Sequence, residues 1–122
     1  MRKDCPLAQK SAIQLEDLIP YPVFCSEQSA KVDLPRWCGE KVDQLQIMAT
    51  FNLSNNGAVF VREGLGVELT FDKLIEITPD STLCFRPITP ELHTKMYVIW
   101  KKYQVFTPVA QLLLDELKKI FQ

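Results

Sequence analysis

The stretch Asn52–Phe71, NLSNNGAVFVREGLGVELTF, decides the fold. Ser54 and Asn52 are residue types that cap a first helical turn, accepting a hydrogen bond from a backbone N–H with no partner inside the helix. Gly64 stands where a left-handed residue ends that helix, and Leu65 follows as the apolar residue that closes such an end. Val67, Leu69 and Phe71 then alternate with Glu68 and Thr70 at the two-residue period of a strand. A polar helix start next to a sheet is a receptor for a small anion or carboxylate, because its first N–H groups point outward unpaired.

Upstream of this joint, Gln14–Leu18 reads as a single helical turn stopped by Pro20, and Val23–Cys25 as a short strand. A polar segment, 26–33, leads to a helix over Leu34–Asp43, with Pro35 in its first turn and Trp37 as its core anchor. Gly39 weakens that helix. Leu45–Phe51 alternates as a strand, with Leu45, Ile47 and Ala49 on one face. Downstream, Asp72–Ile77 is expected to form one helical turn and Thr78–Ser81 a loop. Leu83–Phe85 reads as a short strand ended by Arg86 and Pro87. The nearly continuous apolar run Lys95–Lys101, KMYVIWK, carries the mark of a strand buried on both faces.

The last element is the clearest. Thr107 caps, Pro108 takes the first helical position, and the helix runs to about Ile120. Ala110, Leu113, Leu114, Leu117 and Phe121 make one apolar stripe. Burying five such side chains stabilises by on the order of 5–10 kcal/mol, so the stripe is expected to pack on its own sheet or on a second copy. The second outcome gives a homodimer or a swapped dimer. Alternating helices and strands predict an α/β fold with a largely parallel or mixed sheet flanked by helices.

Composition narrows the function. The chain has 122 residues, enough for one core, and a net charge of −1, so no basic field attracts nucleic acid. No apolar run approaches the roughly 20 residues that span a bilayer. The N-terminus, MRKDCPLAQK, lacks the apolar stretch of an export signal, so the expected location is the cytoplasm. Cys5, Cys25, Cys38 and Cys84 are scattered without zinc spacing, and His93 is the single histidine. Four reduced thiols, no metal and no cofactor are expected.

The succession GLGVELTFDKL, LCFRPITP, KMYVIWKK and FTPVAQLLLDELKK resembles the C-terminal part of LysR-type transcriptional regulators. MRKDCPLAQKSAIQLEDL is similar to a segment those proteins carry after the first crossing between their subdomains. One departure is Phe71–Asp72, where many relatives place a proline after the strand. The resemblance implies an effector-binding region built like a periplasmic binding protein, with a small ligand held between two α/β subdomains. On it, residues 1–100 correspond to the second subdomain, and residues 101–122 to the closing segment and C-terminal helix. A winged helix-turn-helix and linker helix, which such regulators carry, have no counterpart here, so direct nucleic-acid contact is not expected of this chain.

The resemblance places the segment after the Leu45–Phe51 strand toward the ligand cleft. Thr50, Asn52, Leu53, Ser54 and Asn55 are therefore the candidate effector contacts, and capping of the helix by Ser54 and Asn52 is the plainer reading of the same residues. Asn56 and Gly57 lie beside them. His93 reads as a solvent-facing loop histidine, because a general base needs a positioned partner. Cys25 next to Ser26 lacks an activating base and reads as a core cysteine. With no nucleophile–base pair, metal set or phosphate loop, an enzyme is not expected. The alternative to a regulator is a stand-alone solute-binding or dimerisation module.

Overall fold

The computed structural model describes residues 1–95 and 97–121. Seven regular elements organise it: α1 (Leu15–Leu18), β1 (Pro22–Ser26), α2 (Leu34–Cys38), β2 (Gln46–Phe51), α3 (Ser54–Arg62), β3 (Val67–Leu69) and α4 (Pro108–Ile120). The strands form one sheet in the order β2-β1-β3, parallel throughout, which is the largely parallel of the two alternatives expected. Among the described residues, antiparallel pairing is confined to an isolated bridge between Arg2 and Leu83. The α/β class holds.

Parallel strands are buried on both faces, and β1 shows why. Val23 and Cys25 point into one core, with Leu18, Leu34, Leu45 and Val67. Phe24 points into the other, with Ala58 and Val61 of α3 and with Leu83. The sheet is therefore a middle layer, with α1 and α2 on one side and α3 on the other.

A bulge in β2 links the two sides. Val23 pairs with Ile47, but Phe24 pairs with Ala49, so Met48 is an extra residue. Because side chains alternate, one inserted residue exchanges the faces beyond it. Ile47 joins the first core and Phe51 packs against the second. The predicted shared face of Leu45, Ile47 and Ala49 is thus corrected: Ala49 lies beyond the bulge and is exposed.

Around the sheet, several expectations change. The helix predicted for Leu34–Asp43 belongs to a longer helical path that changes pitch. It has a π-helical turn at Ser29–Asp33, then α2, then a 3₁₀ stretch at Gly39–Gln44, with the break at Gly39, whose φ is 55°. Leu34 is its fully buried anchor; Trp37 is half-buried, and its indole N–H donates to the His93 carbonyl at 3.2 Å. β3 stops at Leu69, short of the predicted Phe71. Residues 72–75 form a turn and bends, and 76–77 are irregular, in place of a helical turn. In place of the predicted strand Leu83–Phe85 there is only a bridge at Leu83, tied by Lys3 N–H to the Thr82 carbonyl and Cys84 N–H to the Met1 carbonyl, each 2.8 Å.

The predicted strand Lys95–Lys101 is overturned. Met96 lies outside the described residues; of the remainder, none is in a strand, and Tyr97 and Ile99 are 76% and 88% exposed. An apolar run becomes a strand only where another strand supplies ladder partners, and neither edge of this sheet does so here.

α4 forms as predicted, with the Thr107 hydroxyl accepting from Ala110 N–H at 3.3 Å and Pro108 at its start. Its stripe is divided, however. Leu114 is buried and Ala110 and Leu117 are half-buried, whereas Leu113 and Phe121 are 60% and 77% exposed. None of the five belongs to either core, so the expected packing onto the sheet is not found. Val109, Leu112 and Ile120 are also exposed, which makes the helix apolar over much of its girth. Covering one edge leaves the rest in water. No helix among the described residues is long and apolar enough to cross a membrane.

Gly57 sets the contact between α3 and the sheet. A Cβ there would collide with the Phe51 ring and stand 2.9 Å from Glu68 Cδ. Replacing an interior helical glycine by alanine ordinarily stabilises by about 1 kcal/mol. Here overpacking reverses the sign, and Gly57→Ala is expected to lose roughly 1–3 kcal/mol in urea denaturation. A variant as stable as the parent, or more so, would contradict this packing.

Candidate functional site

Ligands of open parallel sheets bind beyond the carboxyl ends of the strands, where loops and helix N-termini converge. In this chain that edge is built by Ser26 at the end of β1, residues 50–55 leaving β2, and Thr70 after β3. Register brings them together: Ser26 pairs with Phe51, and Cys25 with both Thr50 and Leu69.

The start of α3 differs from its sequence reading. Leu53, with extended φ and ψ of −129° and 125°, is the N-cap, and no side chain caps the turn. Ser54 is the first helical residue, and its hydroxyl is 2.6 Å from the Thr70 hydroxyl, tying α3 to the end of β3. Asn52 remains exposed. The expected capping by Ser54 or Asn52 is therefore corrected, because the chain turns one residue between them. Asn56 N–H reaches the Leu53 carbonyl at 2.9 Å, whereas the N–H groups of Ser54 and Asn55 meet no acceptor among the described residues. No acidic residue occupies the first turn, so no carboxylate of the helix itself offsets its positive pole.

The far end closes as expected. Gly64 has φ 78°, its N–H reaches the Val61 carbonyl at 3.0 Å, and Leu65 N–H reaches the Phe60 carbonyl at 3.1 Å. This paired closure fixes where α3 stops and β3 begins. Gly66 follows because a Cβ there would strike the Pro22 carbonyl of β1.

Asn52, Leu53, Ser54 and Asn55 line one open groove with Phe51, Glu68 and Thr70. Thr50 is absent from it: with Asn52 it lines a shallow neighbouring depression beside Ser26, Glu27 and Gln28. Ser26 also steadies that side, its hydroxyl 2.8 Å from the Ser29 hydroxyl and accepting from Ser29 N–H at 3.0 Å. Ser26, Thr70 and Glu68 were not singled out by the sequence reading. The signal for Glu68 was its place between Val67 and Leu69, which in a parallel strand points it toward the second covered face.

Glu68 lies under the first turn of α3, against Gly57 and Phe51. Both carboxylate oxygens are buried and make no hydrogen bond. Burial pushes its pKa up to about 7, an effect partly offset by the nearby Ser54 hydroxyl and the Met1 ammonium. The other notable residues are ordinary. Cys25 is wholly buried in the sheet, and burial pushes its thiol up to about 11, which leaves it a poor nucleophile. His93 is exposed, 3.1 Å from an equally exposed Glu91. Trp100 packs edge-on to Phe106, with centroids 6.4 Å apart, away from the groove lining.

The sequence model of the LysR substrate binding domain matches residues 1–122, the length of the chain. No curated protein and no solved structure gives a match.

The raised pKa of Glu68 carries a pH signature. Between its ordinary 4.5 and about 7 the native carboxyl holds a proton that the unfolded chain has released. The stability it contributes is complete below about 4.5 and lost as pH rises through 7. That loss is on the order of 2–3 kcal/mol. Glu68→Gln is expected to abolish most of it, so that urea midpoints at pH 5 and pH 8 converge. Equal pH dependence in parent and variant would refute the assignment.

Proposed function

We propose a function from one premise: the chain belongs to the LysR substrate binding domain family. Domains of that family are regulatory modules that bind small molecules. The chain is a non-catalytic effector sensor of a LysR-type transcription factor, built like one subdomain of a periplasmic binding protein. Residues 1–100 act as the second subdomain and residues 101–122 as the closing segment. The effector, a small carboxylate by the chemistry of the site, sits at Asn52, Leu53, Ser54 and Asn55, with Thr50 at the margin. The observation that carries this reading is the uncapped start of α3 at the carboxyl edge of a parallel sheet, with two N–H donors free.

The mechanism is a population shift. An effector held between this edge and a facing subdomain favours one closure angle, and the altered geometry is relayed to a DNA-binding domain. Such a module works in the cytoplasm without a cofactor and touches no nucleic acid itself. The exposed apolar surface of 97–121 supports a further reading, self-association as a homodimer or swapped dimer through α4, with Leu113, Leu117 and Phe121 central. Sedimentation as a monomer at every concentration would exclude that reading.

Half a cleft binds weakly. Propionate is expected to move the backbone amide signals of Ser54 and Asn55 with a millimolar Kd in ¹⁵N NMR titration. Ser54→Pro removes one donor while suiting the first helical position and the extended residue before it. The variant should keep its helix and lose about tenfold in affinity. Micromolar binding by this chain, or shifts confined to other residues, would contradict the proposal.

A further inference from the structure

Among the described residues, the oxygens of Glu68 are the only buried side-chain polar atoms without a hydrogen-bond partner. Its carboxyl carbon and the Phe51 ring both crowd Gly57 of α3, and its ladder partner is the buried Phe24. A neutral carboxyl is tolerated in such a place, whereas an ionised one without donors is costly. The surrounding charges give little relief. Neither β1 nor β2 carries a charged side chain, and the Cys25 thiol of β1 lies in the other core. Arg62 and Glu63, at the far end of α3, and Asp72 and Lys73, after β3, are exposed. Arg2, Lys3 and Arg86 of the neighbouring segments donate to Asp4 and to the Pro79 and Ala8 carbonyls. The Met1 ammonium does act on Glu68, but it donates to the Cys84 carbonyl at 3.2 Å, with the Cys5 and Cys84 thiols also beside it. Burial lowers its own pKa from 8.0, so it sheds charge with rising pH as Glu68 gains it.

The helix above this carboxyl group is anchored unevenly. Ala58 and Val61, 0% and 1% exposed, hold its second half in the core. Its first turn has no side-chain cap, and Asn55 and Asn56 are exposed. The Ser54–Thr70 hydroxyl pair is what ties that turn to the sheet. We propose that the first turn of α3 is a pH-operated flap, docked on the sheet while Glu68 is protonated and lifted, with Ala58 as the hinge, once Glu68 ionises. Lifting gives the carboxylate water in place of the donors it lacks, and local opening is easiest where few buried contacts are lost. Linkage fixes the sign. The docked turn favours the protonated acid, whose pKa is pushed up to about 7, so docking is complete at low pH and lost as pH rises through that value. Each further pH unit disfavours the docked turn by about tenfold. The flap is a property of the fold, whether or not this edge binds an effector.

The test is an NMR pH titration of the 122-residue chain, with Glu carboxyl groups labelled with ¹³C. The Glu68 carboxyl should titrate with a midpoint of about 7, and the amides of Ser54–Ala58 and Thr70 should shift with the same midpoint. Exchange protection at Gly57 and Ala58, corrected for the intrinsic pH dependence of exchange, should fall about tenfold between about pH 7 and pH 8, while Val61 keeps its own. In Glu68→Gln these changes should vanish, although Met1 still titrates there. Three results overturn the flap. Glu68 could titrate as an ordinary carboxylate, or titrate near 7 while α3 stays unmoved because the side chain alone turns to water. Alternatively, protection could fall equally at Val61, or fall alike in Glu68→Gln. The ¹³C titration and the exchange of the parent chain need no substitution, so a variant that fails to fold does not remove the test.

Discussion

With no side chain at Gly57, α3 comes down directly onto the Phe51 ring and the Glu68 carboxyl group, and the site takes its form from that contact. The approach seats the first turn of the helix over the carboxyl ends of three parallel strands. Ser54 can then reach Thr70 across the end of β3. It also buries the carboxylate oxygens of Glu68, a residue otherwise half-exposed. Packing, polarity and the pH response thus trace to one missing methyl group.

The bulge at Met48 is the second half of the same arrangement. Without the extra residue, Phe51 would share a face with Ile47 and turn away from α3. The register shift places it under the helix, where it meets the space that Gly57 leaves open. The loop that follows then begins on the α3 side of the sheet. A local irregularity in one strand accordingly sets the direction in which the candidate binding residues face, a common use of bulges beside functional sites.

Much of this was legible in the chain. The GLG turn, the strand around Phe24, the short turn at Gln14–Leu18 and the Thr107–Pro108 start of α4 all rest on local chemistry, and local chemistry is what single-sequence reasoning reads. Errors fell where a neighbour decides. Residues 97–101 have strand-like composition but no ladder partner. The α4 stripe reads as buried, yet only one edge of it is covered. Ser54 has the residue type of a cap but stands one position inside the helix, because Leu53 makes the turn. Glu68 passed as the polar half of an alternating strand. In a parallel sheet both faces are covered, and that rule was the one available clue to its burial.

Hydrogen exchange at single amides tests most directly the claim that α3 begins with free donors. In the unliganded chain, Ser54 and Asn55 should exchange near the rate of an unstructured peptide, while Val61 within the same helix is protected. Adding a small carboxylate should slow those two amides selectively. Protection of Ser54 and Asn55 equal to that of Val61 without any ligand would mean that the turn is already capped, and the account would be wrong.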